Sequence, residues 1–385
     1  MNDLNYAPIP QLKDITKAIF TKQSNVKSAS KNWLLNNEKS YWFSRSAWSM
    51  YAIVKFRLLV NHSTQINVWL PDYFCNESTV AIRSLGVKLS FYPILSNGKP
   101  NLLVCKKMLN VEIPDIILYV NYFGESLFSK DLYTIAKNNN AWLIEDSAHC
   151  LKPGEGIGEH GDFIIYSPHK LLAIPDGGLL VIRQNGPNKI TNEFLDEYSF
   201  DGLYDSVINM GKSSNFLQFK WLFKRLVHKF GLQFFHKQNK FKSDSAPRDL
   251  ESLTSPKISW LSLKLLNNFL DLELEAMNRK NIEIEWQESL NNNKIFERKI
   301  IAISQINYIP YMAKVLSNEC FNAEIIFALL QKSKIPASSW PDLAPEVLLR
   351  PDIHKTAINM RLTCIFLPVH SSINKKILKS KIRGC

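Results

Sequence analysis

The stretch DIILYVNYFGESLFSKDLYTIAKNNNAWLIED, Asp115 to Asp146, decides the fold. DIILYVNYFG (115–124) reads as a buried strand, KDLYTIAKNNN (130–140) as a helix and AWLIED (141–146) as a second strand. Two strands joined through a helix make the unit of a parallel sheet. Upstream the rhythm repeats. RSAWSMYAIVKFRLLV (45–60) carries apolar residues at helical spacing, and INVWLP (66–71) is a short buried strand stopped by Pro71. ESTVAIRSLG (77–86) is helical and ends on a glycine, and VKLSFYPI (87–94) is again a strand. The pattern is that of an α/β domain with a largely parallel sheet.

At 385 residues the chain exceeds the size at which one core stops growing, so a large domain with a smaller companion is expected. SDSAPRDLESLTSP (243–256) has the composition of a linker. A long helix from about Lys257 to Leu290 and a shorter βα pattern follow it. The expected organisation is an N-terminal segment 1–43, a large domain 44–250 and a long helix with a small C-terminal α/β domain over 251–385.

Composition narrows the function classes. The first residues, MNDLNYAPIPQLKDI, lack the apolar core of a signal peptide, and no run approaches the ~18 apolar residues of a membrane helix. A soluble, cytoplasmic protein is expected. Six cysteines lie far apart with no CxxC pair, which argues against a disulfide framework and a zinc site. His149, His160 and His169 share one region, but their spacing matches no metal motif, and no G-x-S-x-G, Walker or Rossmann pattern occurs.

The net charge of +12 attracts anions and leaves nucleic acid, lipid headgroup and phosphorylated metabolite open. Much of it lies in GKSSNFLQFKWLFKRLVHKFGLQFFHKQNKF (212–242). That segment reads either as a helix touching a membrane surface or acidic partner, or as a surface helix with Phe219, Leu222, Phe223 and Leu226 turned to the core.

In parallel sheets ligands bind beyond the carboxyl ends of strands. Three strands end there on polar groups: Asn121 after ILYV, Glu145 and Asp146 after AWLI, and the Ser167-Pro168-His169-Lys170 run after DFIIY. Lys170 stands between that strand and the Asp-Gly-Gly turn leading to GGLLVI. A lysine held partly out of water becomes a nucleophilic amine suited to a Schiff base, and pyridoxal phosphate is the commonest carbonyl partner. Its ring nitrogen needs a carboxylate, for which Asp146 is the candidate. Its phosphate needs a helix N-terminus with hydroxyls nearby. SRSAWSMYAIV (44–54) offers Ser44, Ser46 and the small Ala47, and Ser167 offers another hydroxyl. Tyr73 and Phe74, after INVWLP, are candidates to stack on the ring.

Together SRSAWSMYAI, VWLPDYFCNESTVAIRSLGVKLSFYPI, LIEDSAH, YSPHKLLAIPDGGLLVI, KSKIPASSWP and FLPVHSSI resemble the DegT/DnrJ/EryC1/StrS family of pyridoxal-phosphate-dependent sugar aminotransferases. The resemblance implies the fold type I architecture and a homodimer with its active site at the subunit interface. It also implies a nucleotide-linked sugar substrate, an amino-acid donor such as glutamate, and a setting in surface-polysaccharide synthesis, with no nucleic acid partner. By resemblance Lys170 is the Schiff-base lysine and Asp146 its pyridinium partner. His149 stands where the family has a glutamine near the phenolic oxygen, Ser46 and Ala47 are the pair at the phosphate, and Ser167 is the hydroxyl before the lysine. Three departures stand out, one being that the family's ring-stacking aromatic position does not align with PDYFCN (71–76). The spacing from Ser167 to Lys170 is shorter than the family's, and the asparagine-arginine element that reaches the phosphate from the neighbouring subunit has no counterpart beyond Asn209 or Asn215. Two other readings remain open: a non-catalytic binder of the cofactor, and another fold type I enzyme such as a dehydratase or decarboxylase.

Overall fold

The structure is a computed structural model that describes residues 4–20, 26–35, 38–211, 215–229, 241, 254–268, 271–293, 300–303, 308–317, 320–340 and 342–384. Seven strands form its main sheet: β1 Lys39–Phe43, β2 Asn67–Pro71, β3 Lys88–Tyr92, β4 Ile116–Val120, β5 Trp142–Ser147, β6 Phe163–Tyr166 and β7 Gly178–Ile182. Their spatial order is β1-β7-β6-β5-β4-β2-β3. β3, β2, β4, β5 and β6 run parallel, whereas β7 is antiparallel to β6 and β1 to β7. The sheet therefore begins at Lys39, inside the segment read from sequence as preceding the large domain.

β2, β4, β6 and β7 are buried along their whole length, which is why they appear in sequence as unbroken apolar runs. Register sets the site. Val120 pairs with Asp146, and Asp146 pairs with Ile165, so β4, β5 and β6 end side by side.

The helix Ser46–Val60 crosses β6 and β7 and carries Phe56 into the core, where its ring lies 5.3 Å from Trp142 and 4.8 Å from Phe200. Truncating such a buried aromatic costs about 3–5 kcal/mol. The start of this helix presses directly on β7. A Cβ on Gly178 would stand 2.3 Å from the Arg45 carbonyl carbon and 2.4 Å from the Ser46 nitrogen, so only glycine permits this approach. That accounts for one half of the Gly-Gly pair after Asp176.

A second sheet comprises β8 Ile300–Ile303, β9 Met312–Ser317 and β10 Cys364–Pro368, antiparallel in the order β10-β9-β8. Its core holds Phe327, Leu330, Leu367 and Trp286, and the Trp286 Nε1 donates to the Pro368 carbonyl at 2.8 Å. Leu4 joins this core, so the start of the chain packs on its C-terminal part.

Two expectations are corrected. The long helix read over 257–290 is two helices, Trp260–Asn268 and Leu272–Asn291. Asp271 caps the second by accepting the Leu274 N–H at 3.0 Å, a local bond that competes with continuation of the first. In the basic segment a helix spans Asn215–Lys229, but Phe219 and Phe223 are 61% and 70% exposed. Gln218 is buried, Trp221 packs inward with the Arg225 guanidinium over its ring, and Leu222 and Leu226 are half-buried, so the expected face holds at the two leucines but not at the two phenylalanines. The remainder of that segment, 212–214, 230–240 and 242, and most of the linker, 243–253, lie outside the described residues. Among the described residues no helix is long and apolar enough to cross a membrane.

Candidate functional site

Alternation along β5 gives its two terminal carboxylates opposite fates. Glu145 is fully buried and saturated: Oε1 accepts from Asn121 Nδ2 at 2.8 Å, from Ser147 Oγ at 3.1 Å and from the Gly158 N–H, and Oε2 accepts the His160 N–H at 3.1 Å. It ties down the 158–160 loop. Asn121 belongs to the same scaffold, because its Oδ1 also accepts the Leu127 N–H at 2.9 Å. Asp146 is buried as well but among the described residues accepts only the Ala148 N–H, at 2.9 Å. Burial raises its pKa, while the charge of Lys170 and that N–H oppose the rise.

Lys170 sits half-buried in the short turn Pro168–Leu171 that follows β6. It faces a cleft of about 490 Å³ shared with Arg45, Ser46, Ala47, His149 and His169. Phe123, Tyr311, Trp340 and Phe366 form the aromatic wall of this cleft. His149 accepts the Phe123 N–H on Nδ1 at 3.4 Å, and its ring lies parallel to Tyr311 at 4.3 Å. Burial, with the Lys170 charge, pushes its pKa well down and keeps the imidazole neutral. His169 is neutral for the same reason, with Arg45 and Lys170 adding to the effect of burial. Its Nδ1 donates to the Gly177 carbonyl at 2.8 Å, which fixes the tautomer.

Of the residues singled out from sequence, the structure gathers Lys170, His149, Ser46 and Ala47 around one cleft, with Asp146 close enough to feel the Lys170 charge. Ser167 is fully buried at the base of the lysine turn, and its hydroxyl has no hydrogen-bond partner among the described residues. Tyr73 is placed elsewhere. It is fully buried with its ring stacked on Trp340 at 4.3 Å, behind that residue of the cleft wall, and Phe74 is buried in the core. The stacking role read for Tyr73 has no support in this geometry. His160 stacks on Phe128 at 3.7 Å, outside the cleft. Asn209 ends the helix Phe200–Ile208, and the side chain of Asn215 lies outside the described residues.

Sequence reasoning missed four contributors. Phe123 takes a left-handed backbone, φ 58°, uncommon for an aromatic residue and found here at the cleft wall. Its carbonyl accepts the Tyr311 N–H at 3.0 Å. Gly124 permits that approach, since a Cβ there would meet the Ile309 carbonyl oxygen at 2.1 Å. A glycine directly after a strand-end aromatic was the available signal. Tyr311 and Trp340 come from the C-terminal part and carry no local signal. Arg279, fully buried on the helix Leu272–Asn291, donates to the Leu171 carbonyl at 2.6 Å and to the Pro310 and Tyr311 carbonyls at 3.2 Å, with Glu275 as its ion-pair partner at 3.0 Å. It clamps the residue after Lys170 and the ring beside His149 to one helix.

Residues 105–198, which include Asp146, His149, Ser167 and Lys170, match the model of the DegT/DnrJ/EryC1/StrS aminotransferase family. Of the segments that carried the resemblance, LIEDSAH and YSPHKLLAIPDGGLLVI lie inside this match. Comparison with the sequences of curated proteins gives no match. Among solved structures the chain is similar to Helicobacter pylori PseC, an aminotransferase involved in the biosynthesis of pseudoaminic acid, at 14% identity and TM-score 0.69, over 99% of this chain and 97% of that one. It is also similar to a DegT/DnrJ/EryC1/StrS aminotransferase from Brucella abortus (16%, TM-score 0.64, 97% and 94%) and to the PLP-form of Spr1654 from Streptococcus pneumoniae (12%, TM-score 0.67, 99% and 97%). At these identities the likeness is one of fold, and the fold is that of the fold type I aminotransferases.

Proposed function

We propose that this chain is a pyridoxal-phosphate-dependent aminotransferase that moves an amino group from an amino-acid donor, glutamate in the simplest case, to a keto group of a nucleotide-linked sugar. The observation that carries the reading is the meeting of Lys170 with a buried, under-partnered carboxylate, Asp146, beside a cleft lined by the start of the helix Ser46–Val60.

The residues present fit the cofactor. Asp146 has acceptor capacity to spare in a buried position, and the Ser167 hydroxyl is buried without a partner. Both are costly unless a ligand completes them. When bound, pyridoxal phosphate supplies an aldehyde with which amines condense and a ring that takes up the electrons of the bond broken at the donor's α-carbon.

The rest is done by the chain. Lys170 Nζ holds the cofactor and, once free, moves the donor's α-proton. Asp146 keeps a proton on the ring nitrogen, and His149, held neutral, offers the cleft an uncharged imidazole. The backbone N–H groups at the start of the Ser46 helix and the Ser46 and Ser167 hydroxyls bind the phosphate. Phe123, Trp340 and Phe366 exclude water from the reacting face. The positive balance of the chain suits a diphosphate-bearing sugar, and the family resemblance supports a cytoplasmic homodimer whose sites lie at the subunit interface.

The test is the visible spectrum of purified protein with pyridoxal phosphate, before and after glutamate, for wild type and Lys170→Ala. A bound-cofactor band that glutamate removes, with turnover in Lys170→Ala lowered by about 10²–10⁴-fold, is expected. Full turnover by Lys170→Ala would overturn the assignment, and a wild-type band indifferent to every amino acid would favour a binding protein.

A further inference from the structure

Arg45 is the residue before the helix Ser46–Val60, in extended backbone at φ −143° and ψ 152°, and it caps nothing with its side chain. The Gly178 contact fixes this backbone against β7. Its side chain lines the cleft with Lys170 and Ser46. The guanidinium forms no hydrogen bond and no ion pair among the described residues. Asp176 and Glu77 face it from further off, and the Asp176 Oδ1 is already committed to Ser259 N (3.1 Å), Ser259 Oγ (2.9 Å) and Ser262 Oγ (2.7 Å). Burial pulls the Arg45 pKa down, which those two carboxylates only partly offset.

A guanidinium with five donors, none of them bonded among the described residues, at the positive end of a fifteen-residue helix, is matched by a dianionic, multi-oxygen ligand. The unpartnered, fully buried Ser167 hydroxyl in the lysine turn is a second open donor in the same region. A carboxylate of the amino donor would satisfy the charge, but the adjacency to the Ser46 helix start favours the group expected there.

We propose that Arg45 grips the phosphate of the cofactor from within the same chain, supplying the cation that no recognisable asparagine-arginine element provides. The inference rests on the aminotransferase reading. It makes the phosphate, more than the ring, the point at which this chain binds its cofactor.

The experiment compares pyridoxal phosphate with pyridoxal, titrated by visible absorbance into wild type, Arg45→Met and Arg45→Lys, each checked for folding by thermal melting. Wild type is expected to prefer the phosphorylated aldehyde, and Arg45→Met to lose about 10- to 100-fold of that preference with pyridoxal affinity nearly unchanged. Arg45→Lys, keeping the charge without the fork, is expected to fall between. Inorganic phosphate should compete with pyridoxal phosphate in wild type and much less in Arg45→Met. Unchanged preference in both variants overturns the assignment while leaving the aminotransferase reading intact, as does a preference kept by Arg45→Met together with weakened use of glutamate, which would give Arg45 to the donor carboxylate. A wild type that binds neither aldehyde sinks the aminotransferase reading itself, and the Arg45 assignment falls with it.

Discussion

Two clefts of the molecule differ in kind, and the larger of them is the less reactive. One, of about 660 Å³, lies between the helix Leu272–Asn291 and the 150–157 loop, and its lining includes Met277, Ile284 and Tyr308, with Lys152 paired to Glu273 at its edge. The other, of about 490 Å³, holds Lys170, Arg45 and two neutral histidines, with Asp146 in electrostatic reach. In the first, the lysine at the edge has a carboxylate to pair with. Around the second, a guanidinium, a carboxylate and a serine hydroxyl have hydrogen-bonding capacity to spare among the described residues. Volume alone would choose wrongly, and unfinished polar chemistry chooses the strand-end cleft.

The comparison breaks first at Lys170. Lys170→Ala should lower transamination by about 10²–10⁴-fold, the range for losing a positioned proton-transfer group, while Met277→Ala in the larger cleft should leave it within about twofold. A greater loss from Met277→Ala would transfer the chemistry to the other cleft. Asp146→Asn keeps the shape and removes the charge. It should lower turnover by about 10- to 100-fold without weakening pyridoxal phosphate retention to the same degree, measured as separate kcat and cofactor-affinity values.

Arg279 links the two clefts, since its helix lines the larger one while its guanidinium holds the backbone beside Lys170. Arg279→Met leaves the nearly buried Glu275 without its partner, so a destabilisation of about 3–5 kcal/mol is expected in urea unfolding. Pairing it with Glu275→Gln should restore much of that stability but not the turnover, because the Leu171 and Tyr311 carbonyls stay untethered. Recovery of both together would reduce Arg279 to a structural ion pair.

How much of this was legible in the sequence follows from how local each interaction is. β4, β5 and β6 could be read because buried parallel strands appear as apolar runs, and their polar last residues announced the cleft. Asp146 and Lys170 followed from order along those strands. Glu145 and Asn121 stood in the same row, yet their partners are loop amides at 127, 158 and 160, so nothing local separated scaffold from site. Tyr73 was misplaced because Trp340, which lies against its ring, arrives from far along the chain. Arg45 lay in plain view between two serines, but only the Gly178 contact and the missing partner give it significance. The helix boundary at Asp271 was a capping signal overlooked inside an apolar pattern.

The smallest effect concerns the helix that lines the larger cleft and reaches the lysine turn through Arg279. Glu283 is buried on it, and burial raises its carboxyl to about 7, against lowering contributions from Tyr308 and Lys280. A carboxyl raised on folding is protonated in the native state and ionised in the unfolded state between its ordinary pKa and the raised one. Its stabilisation is therefore full at acid pH and is lost as pH climbs toward and through about 7. Wild type should lose urea stability between about pH 5 and about pH 8 relative to Glu283→Gln, which has no proton to release. The Lys170 chemistry should be untouched, so the two proteins should show the same ratio of turnover rates at both pH values. A parallel shift of stability in both proteins would remove Glu283 as the titrating group, and a changed turnover ratio would mean that the helix transmits its protonation to the lysine turn through Arg279.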